Sequence, residues 1–499
     1  MDYLNSPNFP ARVEELMKKY HVPGLAVAII KDDRTFSAGY GFASLDPPQP
    51  CTADTLFDIA SSSKSMTAAS VALLVRDNEK YPNVQYDAVV SSLLPEDFVM
   101  PGKGYTEGVT VDDILGHRTG MPHHDDSYLG IGAAQPDDVR SITRNLRNLT
   151  ISAPIRSKYM YNNMMYSVAA YLVESQSGLD FGDFLQERFF GPLEMSSTHL
   201  QPARSKSSGL GDRISKGYGW NKKKETYIGF EALDCPEGVG AGSIITSVND
   251  YIKWVKALMN QEHPIDEEVY KGLIKMRTLT TDDPEDREPQ TSPLVYAAGL
   301  EIFYYRGHAV IGHDGFVPGF GSRHFFAPAL KLGGVIFGNA GSAGDVATVL
   351  SRELIDEFLG VPAPERPDWD GFVSDETAKY ERGPKTLEKE RVLREATEPQ
   401  KTPLSAYAGE YWNPGYRGMT VAVKGDKLFV DAADRSVGFS LLFDHVRGQT
   451  EYIAHSSGIQ AGDEELIAAE FRFQNDRAVK MGLELEVDEF IWFDRVKDT

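Results

Sequence analysis

The 499-residue sequence predicts an α/β protein: an antiparallel sheet flanked by helices, an all-helical subdomain beside it, and a small C-terminal antiparallel β-barrel. Three observations predict this. Strand-like apolar runs stand at both ends of residues 1–361, with helical patterns between them. A proline-rich stretch, Pro362-Ala363-Pro364-Glu365-Arg366-Pro367-Asp368, then breaks the pattern. After Pro403 the apolar runs are short and alternating, as in an all-β unit.

Taken in order, Val13 to Tyr20 reads as a helix with Val13, Leu16 and Met17 on one side. Gly24-Leu25-Ala26-Val27-Ala28-Ile29-Ile30 reads as a buried strand. Lys31-Asp32-Asp33 is its turn, and Thr35 to Gly41 the returning strand. Residues 85–258 form the helical subdomain, with helix-like pieces at Val111–Leu115 and Val168–Val173. From Leu294 to Asn339 the period changes to strands around Val310–His313, Gly321–Phe326 and Gly334–Gly338, and Val346 to Leu359 closes the unit as a helix. Residues 1–361 are therefore expected to fold as one catalytic-sized unit and 362–403 as a charged linker with a short helical patch near Leu387–Arg391. Residues 404–499 form the barrel, where Thr420 to Val430 carries a Gly-Asp hairpin turn.

Composition narrows the function. The formal net charge of −22 argues against nucleic acid and anionic membrane as partners. Only two cysteines occur, Cys51 and Cys235, too few for a disulfide framework. The N-terminal residues lack the basic and apolar regions of a secretory signal, and no apolar run approaches the length of a bilayer span. A cytoplasmic protein acting on a small molecule or short peptide is the expectation.

The stretch that carries chemistry is Ser61-Ser62-Ser63-Lys64, where a short apolar strand turns into an apolar helix. A spacing of three puts the Ser61 hydroxyl and the Lys64 amine on one face. A serine hydroxyl needs a neighbouring base to become a nucleophile, and a lysine serves once burial lowers its pKa. The same serines, and Asp58, also read as ordinary helix N-caps. No second Ser-x-x-Lys occurs in the chain. Tyr161-Asn162-Asn163 precedes an apolar helix and would point a phenol and an amide the same way. A tyrosine beside an ammonium is favoured as phenolate, which would suit a proton shuttle. His313-Asp314-Gly315 ends a strand. There Gly315 would let a substrate approach the backbone, and the N–H of Phe316 would offer an oxyanion donor.

Together Ser61-x-x-Lys64, Tyr161-x-Asn163 and His313-x-Gly315 resemble the serine β-lactamase and penicillin-binding-protein superfamily, in its class C β-lactamase, D-aminopeptidase, DD-peptidase and family VIII esterase branch. Leu115-Gly116-His117-Arg118-Thr119-Gly120-Met121-Pro122 resembles the family's LLTHTSGLP turn, and Gly240 to Asp250 its AGGLxSTxxD loop. The resemblance implies that Ser61 is acylated, Lys64 activates it, and Tyr161 is the general acid/base. It implies that Asn163 holds Lys64 and the substrate amide, and that His313, Gly315 and Phe316 bind substrate. Whether Lys64 or Tyr161 takes the serine proton is left open. Where many lactamases carry Lys-Thr-Gly, this chain has His313-Asp314-Gly315, closer to the peptidases and esterases. The barrel resembles a lipocalin-like domain through Tyr407-Ala408-Gly409-Glu410-Tyr411.

The expected activity is hydrolysis of an ester or amide through an acyl-enzyme, on a D-amino-acid peptide or amide or a small ester. An acyltransferase, a true β-lactamase and a catalytically silent binding protein are the alternatives. No cofactor is expected. His117, His123, His124, Asp125 and Asp126 have no metal-site spacing and are expected to form a loop rimming the cleft.

Overall fold

The strand Gly24–Lys31 is apolar and buried from Gly24 to Ile30, which requires that both its faces be covered. Its alternate residues serve two cores: Leu25, Val27 and Ile29 face one, Ala26, Ala28 and Ile30 the other. The computed structural model describes residues 1–280, 287–381, 383–396, 398–458, 464–486 and 489–497. Among them, nine strands form one antiparallel sheet. Gly24–Lys31 pairs on one side with Arg34–Leu45, the expected hairpin, and on the other with Leu332–Gly338, from Leu25 opposite Gly338 to Lys31 opposite Leu332. The sheet continues through Phe320–Ala327 and His308–Val317 to Glu301–Tyr305. Both ends of the first unit thus build one sheet, as the sequence predicts.

Helices Asn8–Lys19 and Ala343–Leu359 cover one face, burying Phe9, Val13, Leu16, Val346 and Leu350 against it. The other face receives helices Lys64–Arg76 and Val248–Asn260 and the helical subdomain behind them. That subdomain also contains a hairpin, Gly217–Asn221 with Thr226–Phe230, which no sequence pattern announced.

The stretch expected as a linker carries two helices, Trp369–Glu381 and Pro384–Glu395. Trp369 is buried, stacks edge-on to Tyr305 at 5.6 Å and donates its Nε1–H to Asp356 Oδ2 at 3.0 Å. Trp369→Ala is therefore expected to cost about 3–5 kcal/mol, as for other buried aromatic truncations. Chemical denaturation measures this, and a loss of less than about 1 kcal/mol would show that the helix adds no stability to the sheet domain.

The C-terminal strands, from Gly409–Asn413 to Glu489–Lys497, close into an eight-stranded antiparallel barrel when the last pairs with the first. Its interior holds aromatic rings, with Phe471 5.1 Å from Tyr407, 5.4 Å from Tyr452 and 5.9 Å from Phe443. Among the described residues no helix is long and apolar enough to cross a membrane.

Candidate active site

The site begins where the two-residue strand Phe57–Asp58 ends. Pairing with Ile244–Thr246 fixes that strand, and the Ile59 N–H donates to the Ile244 carbonyl at 3.1 Å. Asp58 Oδ1 accepts the Ala60 N–H at 2.8 Å, and Ala60 takes a left-handed φ of 46°. A non-glycine residue in this region is a strained turn that the surroundings must hold. It throws Ser61 into a 3₁₀ turn, Ala60–Ser63, which runs into the helix Lys64–Arg76.

Of the expected caps, Asp58 takes the first N–H of the turn, but the serine caps do not form. No serine side chain caps this helix. The 3₁₀ turn already supplies an acceptor, since the Lys64 N–H bonds the Ser61 carbonyl. The hydroxyls are therefore released for other partners. Ser62 Oγ donates to the His313 carbonyl at 3.0 Å, and Ser63 Oγ accepts the Ile244 N–H at 3.3 Å. The serine run stitches the turn to the strand His308–Val317, the third strand of the site, and to the Ile244 strand.

Ser61 Oγ lies 2.7 Å from Lys64 Nζ and 2.7 Å from the Tyr161 hydroxyl. Lys64 is fully buried, and burial pushes its ammonium down to about 7, against a smaller opposing pull from Asp125. Its Nζ also meets Asn163 Oδ1 at 2.8 Å and the Ala241 carbonyl at 2.8 Å. A neutral amine has two hydrogens and one lone pair. The two carbonyl oxygens take the hydrogens, which leaves the lone pair facing the Ser61 hydroxyl. Ala241 lies in the stretch that resembled a family loop, but nothing in the sequence assigned its carbonyl this role.

Tyr161 behaves opposite to the phenolate expectation. Burial holds its hydroxyl well above its usual value of 10.0, and the hydrogen bond to Ser61 is a smaller effect in the other direction. A neutral Lys64 supplies no cation to offset the desolvation. The Tyr161 ring lies under Lys64 Nζ, 4.9 Å from its centroid, and against His117 at 4.3 Å. His117 is buried and accepts the Asn162 N–H on Nδ1 at 3.1 Å. The sequence marks His117 as part of a family-like turn and of the loop expected to rim the cleft, not as a neighbour of Tyr161.

Asn163 does hold Lys64, and its amide nitrogen has a protein partner as well. Nδ2 donates to Asp125 Oδ2 at 3.1 Å and Oδ1 at 3.3 Å. Asp125 therefore belongs to the site, reached by the loop expected at its rim. Among the described residues no three His, Cys, Asp or Glu side chains gather as a metal site.

On the third strand, His313 is only 4% exposed. Its Nδ1 lies 2.5 Å from the Asp314 carbonyl and must donate to it, so Nε2 accepts from the Tyr296 hydroxyl at 2.9 Å. Burial pushes the imidazole down to about 4, so the ring is neutral and both nitrogens face the protein. Asp314 is held by Arg323 through two bonds of 2.6 and 2.7 Å. Gly315 is required for a different reason than substrate approach. A Cβ there would stand 2.2 Å from the Ile59 carbonyl and 2.3 Å from Ser322 Oγ, so the glycine lets the strand press on the turn that carries Ser61. Phe316 is 68% exposed.

The sequence profile of the beta-lactamase family matches residues 9–355, and a domain of unknown function (DUF3471) matches residues 393–495. The unguisins hydrolase of Aspergillus violaceofuscus (strain CBS 115571) is 34% identical, covering 98% of this chain and 90% of that protein. Its counterpart in Aspergillus campestris (strain IBT 28561) is 32% identical, covering 99% and 92%. Among solved structures, the octameric penicillin-binding protein homologue from Pyrococcus abyssi superposes with a TM-score of 0.58 at 20% identity, over 97% of this chain and 98% of that one. The D-amino acid amidase of Ochrobactrum anthropi SV3 superposes with a TM-score of 0.54 at 19% identity, over 71% and 98%. These structures share the fold. With a profile match over most of its length and relatives that run nearly its whole length, the chain belongs to the beta-lactamase family, as a hydrolase-type member with an added C-terminal barrel.

Proposed function

We propose that this protein is a serine hydrolase that opens an amide or ester bond through a covalent acyl-enzyme on Ser61. The observation that carries this is the position of the Ser61 hydroxyl, 2.7 Å from a lysine pushed toward neutrality and 2.7 Å from a protonated phenol. Lys64 takes the Ser61 proton as Oγ attacks the carbonyl carbon. The N–H groups of Ser61 and Phe316 receive the oxyanion. Tyr161 hands its proton to the leaving nitrogen or oxygen and is recharged from Lys64, and water then opens the ester by the reverse path.

The third strand favours substrates without a free carboxylate. His313 is neutral with both nitrogens engaged, so its position offers no charge to the carboxylate of a β-lactam. This supports a peptide-like amide over a true β-lactamase. Unguisins, for which the two fungal relatives are named, head the panel, followed by D-amino-acid amides, small esters and a chromogenic cephalosporin. A fluorophosphonate probe is expected to add one label at Ser61, seen by intact mass, with hydrolysis of at least one amide or ester and little turnover of the cephalosporin. Folded protein that takes no label and hydrolyses none of the panel would overturn the reading.

A further inference from the structure

We propose that Asp125 is a positioning residue for Lys64 and that the C-terminal barrel holds it in place, so that the barrel completes the active site. The proposal rests on the acyl-enzyme reading above.

An asparagine amide can present either its oxygen or its nitrogen to a neighbour. A carboxylate only accepts. Because Asp125 takes both contacts from Asn163 Nδ2, the amide oxygen is left facing Lys64 Nζ. Without that constraint the amide can turn and set its N–H₂ against the lysine, which removes one of the two carbonyl acceptors that direct the amine lone pair at Ser61.

Asp125 is held from the far side by the barrel. The preceding residue, His124, is fully buried with a left-handed φ of 52°. Its N–H donates to Glu486 Oε1 at 2.6 Å, and its Nδ1 lies 2.7 Å from the Tyr416 hydroxyl. Its Nε2 donates to the Thr150 carbonyl at 3.0 Å, which leaves Nδ1 as the acceptor for Tyr416. Further along the same loop, the Gly130 N–H bonds the Asp434 carbonyl at 2.9 Å, and the Ser436 N–H bonds the Tyr128 carbonyl at 3.0 Å. Leu129 pairs with Arg435 as an isolated bridge. Arg435 is itself buried and ties back to the Tyr416 and Gly418 carbonyls at 2.9 and 3.0 Å. A strained, non-glycine turn persists only where its surroundings over-determine it, and here the barrel supplies Glu486 and Tyr416 to that end. The charged and titratable groups around Asp125 are His123, Asp126 and Tyr128 of its own loop, Lys64 beyond Asn163, Tyr161, and Glu486 and Tyr416 from the barrel. Those facing Lys64 are Asp125, His117, His313, Tyr161 and Tyr166.

The test is the rate of fluorophosphonate labelling of the full chain as a function of pH. Asp125→Asn, an isosteric change, is expected to slow labelling about 10- to 100-fold, the range seen when a group that orients a directly acting residue is lost. It should also move the rising pH limb to lower pH, because the Asp125 charge favours the ammonium form of Lys64. A loss of stability alone moves no pH limb. In an Asn163→Ala background, Asp125→Asn should add no further loss, since the two act in series. Tyr416→Phe should slow labelling less, and not at all once Asp125 is Asn. Unchanged labelling and an unmoved limb in Asp125→Asn, or losses that multiply in the double variant, overturn the proposal. If the unaltered protein takes no label, the acyl-enzyme reading falls and this proposal with it.

Discussion

Ser61→Ala should retain the fold and lose turnover by about four orders of magnitude or more, the scale seen when a serine nucleophile is removed. The fold should survive because, among the described residues, the lost oxygen hydrogen-bonds only the Lys64 amine and the Tyr161 hydroxyl. Lys64 keeps the Asn163 and Ala241 oxygens as acceptors. The strained turn at Ala60 is held by Asp58, Ile244 and the third strand, none of which uses the Ser61 hydroxyl. Steady-state turnover beside a thermal melt measures both quantities. Full activity in a folded Ser61→Ala protein would sink the mechanism.

Lys64→Met should have the second largest effect. It keeps the volume of the side chain and removes the base, so the loss is expected to be about 10²- to 10⁴-fold, the range of a positioned general base. It also leaves the Asn163 and Ala241 oxygens without their donor, at a cost of about 1–3 kcal/mol for each buried group left unsatisfied. The pH profile separates the chemical effect from the structural one. Below pH about 7 Lys64 is an ammonium with no lone pair for Ser61, and above it an amine. Activity of the unaltered protein should therefore rise with pH through a midpoint near 7. Tyr161 is held protonated well above 10, so its loss of a proton should not curtail activity in the neutral range. His313 titrates near 4 and His117 lies well below 6.5, so neither should produce the limb near 7. In Lys64→Met the limb near 7 should vanish. A limb that persists there would assign it to another group.

Much of this was legible in the residues. A spacing of three on a helix brings Ser61 to Lys64 whatever the rest of the chain does, and Tyr161-x-Asn163 at a helix start points both side chains into one space. Short apolar runs announced the sheet strands, and alternating ones the barrel. Other features left no local trace. The helix Trp369–Glu381 reads as a polar linker because few apolar residues mark its buried side. Trp369 becomes its anchor only when Tyr305 and Asp356 are brought to it. The same holds for the serines at 61–63, whose capping pattern is real but whose hydroxyls are claimed by strands far along the chain.

By itself the sequence determined the fold class, the strand runs at both ends of the first unit and the all-β C-terminal unit, because each pattern rests on residues a few positions apart. Only the tertiary structure decided what each side chain of the site meets. It turned His313 inward onto Tyr296 and assigned Gly315 to the packing of the Ser61 turn. It kept Tyr161 a phenol, gave Lys64 the Ala241 carbonyl, and placed Asp125, braced by Tyr416 and Glu486 of the barrel, behind Asn163. Burial and hydrogen-bond partnership are long-range properties. They depend on which distant segments pack together, and pKa and orientation follow from them.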